Sequence, residues 1–194
     1  TISGTSARKL YQQMISRGPH VSGDRALAAT SAETRQTGDF VSGKTCRLRN
    51  YKIGLNFTIK LPKVKNERRL TPRLRRNWKK FYAFVKRHEE RHKQIWIGCA
   101  RTVEKRVKAI RTKSCRDADR KANKIFRSVA AACEKKHDAF DRSEQKRLAR
   151  HPLVVAAKRV ERRKRTSSKT SNNTRAAGQT SKNRYVGGRA ADDF

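Results

Sequence analysis

Apolar residues in this chain recur with two periods, and the switch between them divides the sequence. Ile53, Leu55, Phe57 and Ile59 alternate with polar or small residues, the mark of a half-buried strand, and Pro62 ends the run. Downstream the period lengthens. Leu74, Trp78, Phe81, Val85, His88, His92, Ile95, Cys99, Val103, Val107 and Ile110 advance by threes and fours, which is one face of a long helix. Thr71 supplies an N-cap for it and Pro72 a first helical residue. A break near Lys113-Ser114 precedes a second stripe through Cys115, Ala118, Ala122, Ile125, Phe126, Val129, Cys133, His137 and Phe140, and Pro152 limits its extension.

The first part of the chain is shorter in its elements. Leu10, Met14 and Ile15 predict a helix over Ser6–Ser16, stopped by Gly18-Pro19. The Ala- and Thr-rich run Arg25–Thr37 reads as a strand, and a turn around Gly38 to Gly43 leads to Cys46. No internal repeat is present. The pattern predicts an α+β domain over residues 1–152: a short N-terminal helix and a small antiparallel sheet packed on a long helix and a second, antiparallel one.

Composition changes the picture at one end. Lys and Arg number 51 against 16 acidic residues, a net charge of +35, and from Lys158 the chain holds almost nothing apolar. Residues 153–194 therefore read as a basic, disordered tail. A field of this sign draws polyanions or an anionic envelope surface, although no specific nucleic-acid motif is present and the tail is poor in aromatics for base stacking. No segment approaches the roughly 18 apolar residues that cross a bilayer. A chain opening on Thr1, with four cysteines, fits a processed protein of the periplasm or the exterior.

The candidate chemistry lies in the middle of the long helix. His88-Glu89-Glu90-Arg91-His92 is an H-E-x-x-H pattern. Side chains four apart share a helical face, so two imidazoles can bind one Zn2+ while the adjacent Glu89 takes a proton from water as general base. Both histidines occupy positions on the apolar stripe. Buried there, they need a partner, which is either a shared metal or a hydrogen-bonded neighbour in the core. If the two long helices form a hairpin turning at about residue 114, residue 138 comes level with residue 90. His137, Asp138, Asp141 and Glu144 lie at that level. Helix geometry leaves the third ligand open among them, with His137, Asp141 and Glu144 on one face; Asp141 and Glu144 also read as a helix start. The same geometry pairs Cys99 with Cys133 and leaves Cys46 for Cys115.

The chain resembles a bacterial family of predicted secreted zinc-dependent proteases, catalogued as a domain of unknown function. The resemblance spans roughly Thr1 to Arg150 and rests on Ile2-Ser3-Gly4, Arg17-Gly18-Pro19, Ala28-Ala29-Thr30, Cys46, Leu61-Pro62, Trp78, His88-Glu89 with His92, and Cys115. It implies a zincin-like α+β scaffold, His88 and His92 as zinc ligands and Glu89 as base, with peptide substrate held along the strand Tyr51–Leu61. One departure stands out. The family's aromatic-Asp pair is followed by Thr-x-His-Gly, whereas Phe140-Asp141 here continues Arg142-Ser143-Glu144-Gln145-Lys146, so the resemblance points to Asp141 as third ligand, with His137 as the alternative. Tyr82, His137 and His151 are candidates for stabilising an oxyanion. The competing reading is a non-enzymatic polyanion-binding or structural zincin-like protein.

Overall fold

A computed structural model describes residues 1–21 and 23–159 of the chain. The basic run beyond residue 159, expected to be disordered, lies outside the described residues. The fold is α+β, with helices and two small sheets. The described chain sorts into two compact units, interleaved in sequence because both long helices pass through each of them.

Among the described residues, the first unit takes 1–29, 60–87 and 141–159. Its N-terminal helix, α1 (Ala7–Arg17), starts where the Ser6 hydroxyl accepts the Lys9 amide at 3.3 Å. Gly18 ends it. A Cβ at that position would sit 1.8 Å from the Ala26 carbonyl oxygen, so only glycine fits. The strands β1 (His20–Val21) and β2 (Asp24–Arg25) pair antiparallel, and Ile2 bridges Val64 in parallel. A short 3-10 turn, Glu67–Arg69, leads into α2 (Pro72–Lys108), whose first turn is capped by the Thr71 hydroxyl on the Leu74 amide. Leu10, Met14, Leu74, Trp78, Phe81, Val85 and Leu153 form the centre of this unit's core.

Leu153 corrects the expected domain edge. The chain stays helical over 152–159, and Leu153, Val154 and Ala157 are buried. Pro152 lies past the end of α3 (Cys115–Ala149), as expected, and opens this further segment, since the first helical residue needs no amide hydrogen bond.

The second unit takes residues 30–59 and 88–140. It holds a hairpin of β3 (Ala29–Val41) and β4 (Arg47–Lys60), two strands that pair with each other. Glu33 meets Asn56, Arg35 meets Gly54, Gly38 meets Tyr51 and Asp39 meets Asn50, a falling register that makes the pair antiparallel. Tyr51 and Ile53 are buried and Leu55 and Phe57 half-buried, while Lys52, Gly54 and Asn56 between them face solvent. The segment from Gly38 to Val41, expected as a turn, is strand.

Ser114 starts α3 (Cys115–Ala149) with a reciprocal cap, its hydroxyl accepting the Asp117 amide and donating to the Asp117 carboxylate. Within this unit α2 and α3 run antiparallel, cross-linked by Cys99–Cys133, and Cys46–Cys115 ties the hairpin to the start of α3. Both pairings match those expected. No helix among the described residues is long and apolar enough to cross a membrane.

Candidate metal centre

The turn of α2 after Val85 buries polar groups where the stripe had buried apolar ones. His88, Glu89 and His92 expose 1 %, 0 % and 0 % of their surface. His88 and His92 stand one turn apart, and their Nε2 atoms approach to 2.9 Å. Their rings meet edge to face, with centroids 4.6 Å apart. The Phe140 ring lies 4.7 Å from His88, stacked, and 5.3 Å from His92, edge-on. Aromatic cover of this kind keeps water out and limits the rotamers of both imidazoles.

Glu89 is held from the hairpin. The Thr30 hydroxyl donates to Glu89 Oε2 at 2.8 Å, and it stands 3.3 Å from the Glu89 carbonyl oxygen. Thr30 is fully buried at the end of a run of buried alanines. Its contact, 59 residues away, is not visible in any local pattern of the sequence.

His137 stands level with His92 on α3, as the hairpin register requires, and its Nδ1 lies 2.7 Å from His92 Nδ1. The two rings stack at 18°, and Trp96 covers His137 at 4.4 Å between centroids. His137 is thus turned towards the back nitrogen of His92.

Asp141 follows one turn after His137 in a helix that continues to Ala149, so the helix start read at Asp141 and Glu144 is not formed. The capping residues there are overridden because nothing in the sequence breaks the helix before residue 150. His88, His92 and Asp141 each offer one ligand atom, and the three atoms lie within 4.8 Å of one another. Glu144, another carboxylate at this level, accepts Arg147 Nη1 at 2.7 Å. The oxyanion candidates separate as well. Tyr82 is exposed beside Trp78, and His151 caps the segment from 152 by accepting the Leu153 amide at 3.3 Å.

Two imidazoles and a carboxylate make a donor set of the kind zinc takes in hydrolytic sites. Two nitrogens on one tetrahedral zinc lie about 3.3 Å apart, so the observed 2.9 Å asks for only a few tenths of an ångström of widening. The residues fit the ion.

An α+β chain with a buried imidazole–carboxylate donor group is the class that fold and site define. The chain belongs to the DUF922 family, described as bacterial protein of unknown function, whose profile matches residues 1–149. No curated protein and no solved structure matches it.

Proposed function

We propose that this chain is a zinc-dependent peptidase on a zincin-like scaffold, exported from a bacterial cell, that hydrolyses peptide bonds with activated water. One observation carries the reading: the Nε2 atoms of His88 and His92 converge at 2.9 Å in a dry interior, beside Glu89 and in one donor group with Asp141. His88, His92 and Asp141 would hold the ion, and three protein ligands is the number that catalytic zinc sites use. When bound, zinc supplies Lewis acidity and brings the pKa of water close to neutral. Glu89 accepts the proton of the attacking water and returns it to the leaving amine. Thr30, donating to Oε2, fixes the plane of that carboxylate. With β3 on one side only, β4 leaves a strand edge against which an extended peptide can pair. Two disulfides suit an oxidising compartment.

The test is direct. Purified protein loaded with zinc is expected to bind one ion per chain and cleave an unstructured protein such as casein. Glu89→Gln keeps the ion, because it is no ligand, and loses about 10²–10⁴-fold in rate. Failure to take up zinc, or full cleavage by the Gln variant, overturns the assignment.

A second reading, polyanion binding, draws support from the outer face of α2. Arg73, Arg76, Lys80, Arg87, Arg91 and Arg101 are exposed along one stripe, opposite the buried one. Retention on heparin should fall steeply with salt and weaken when Arg87, Arg91 and Arg101 become Glu; unchanged retention removes this reading.

A further inference from the structure

We infer that His137 is a positioning residue for the metal ligand His92: its Nδ1 accepts the Nδ1–H of His92 and so leaves the His92 Nε2 lone pair for the ion. The inference rests on the zinc reading above and assigns a residue that reading does not use.

A neutral imidazole carries one N–H and one lone pair. His92 has a ring nitrogen on each side, His137 Nδ1 at 2.7 Å and His88 Nε2 at 2.9 Å, so it donates to one and accepts from the other. Two arrangements satisfy this. In one, His137 donates to His92 Nδ1, and the His92 proton sits on Nε2, where it blocks a cation. In the other, His92 donates from Nδ1 to His137, and its Nε2 keeps the lone pair. Only the second leaves the His92 lone pair for a metal; His88, whose Nε2–H then donates to His92, gives up that proton from Nε2 as the ion enters. This arrangement requires His137 to carry its own proton on Nε2.

The setting makes the choice matter. His92 and His137 both expose 0 % of their surface, and Trp96 and Phe140 cover the pair, so bulk water is a poor substitute acceptor for a misplaced Nδ1–H. Ligating histidines are ordinarily held by an acceptor on their second nitrogen, and losing that acceptor typically weakens metal binding about 10–100-fold. Here the acceptor is another imidazole. The same geometry explains why His137 is not in the donor group of His88, His92 and Asp141: the nitrogen it turns towards the site is engaged with His92.

The experiment uses the full chain, two variants and zinc alone, with affinity read by competition against a chromophoric chelator. His137→Phe keeps a ring but offers no acceptor, and its zinc affinity is expected to fall about 10–100-fold. His137→Asn places a carbonyl oxygen near the position of Nδ1 and is expected to retain affinity close to that of the wild type. A Phe variant as tight as the wild type, or an Asn variant as weak as the Phe one, overturns the inference. A second readout covers failure of the Phe variant to fold. In zinc-loaded wild-type protein with ¹⁵N-labelled histidine, a coupling across the His92–His137 hydrogen bond is expected, with the proton on His92. A proton on His137 Nδ1 overturns it. A wild-type protein that takes up no zinc sinks the peptidase reading and this one together; unchanged affinity in the Phe variant sinks this one alone.

Discussion

The buried stripe of α2 has two characters on either side of Arg87. In the first unit Leu74, Trp78, Phe81 and Val85 are apolar and buried. In the second the stripe opens with His88, Glu89 and His92 before returning to Trp96, Cys99, Val103 and Val107. Side chains of the first kind favour folding simply by leaving water. Those of the second lose hydration and recover it only through hydrogen bonds or a metal. The covalent bracing follows the same division: both disulfides, Cys46–Cys115 and Cys99–Cys133, fall in the second unit. A cross-link acts largely by restricting the unfolded chain. It can offset a polar interior without entering it. The unit that carries His88, Glu89 and His92 is the one stapled; the other relies on packing.

The comparison breaks most readily at Phe81. It is fully buried among apolar neighbours, so Phe81→Ala is expected to lower unfolding free energy by about 3–5 kcal/mol in urea denaturation. A loss below about 1 kcal/mol would show that packing is not what holds the first unit.

In the second unit the corresponding weak point is covalent. The Cys99–Cys133 bridge spans 34 residues, and replacing both cysteines with Ala should cost about 2–4 kcal/mol, measured by the same denaturation. Bound zinc should restore part of the loss, because a ligand that binds only the folded state adds stability in proportion to its excess over Kd. A double variant as stable as the wild type without zinc would remove the idea that the polar unit depends on its staples.

How much of this was legible in the sequence follows from the range of each interaction. The start of α2 was readable because Thr71 and Pro72 act on the turn beside them. The level of His137 against His92 and the Cys99–Cys133 pair were readable because a short connection fixes antiparallel helix register, and Cys46–Cys115 followed by elimination. Gly38 misled. A Cβ there would lie 3.1 Å from the Tyr51 Cα, so the glycine serves cross-strand packing within β3 and not a turn. Pro152 was readable: a proline cannot continue a helix, and α3 stops at Ala149 just before it. Thr30 under Glu89 was not readable at all, since the contact belongs to the hairpin's placement and not to any local spacing.

The smallest effect concerns the first unit and pH. His151 sits against the rings of Phe81 and Phe84, with centroids 5.3 and 5.8 Å away, and its Nδ1 accepts the Leu153 amide at 3.3 Å. Burial lowers its pKa below the usual 6.5; a hydrogen bond to the Lys80 backbone works against this, and the Lys80 charge adds to it. The sign follows from linkage. Above pH 6.5 the imidazole is neutral in both states and the cap is intact. As pH falls below that value the unfolded chain takes up the proton first, so stability is lost progressively down to the lower pKa of the folded state. His151→Asn keeps a capping oxygen and cannot titrate. The gap in melting temperature between variant and wild type should therefore shift in the variant's favour as pH drops below 6.5, independently of the buried imidazoles of the other unit, which both proteins share. A gap that stays constant with pH would mean that this histidine is structural packing alone, and that the apolar unit contributes nothing to the acid sensitivity of the chain.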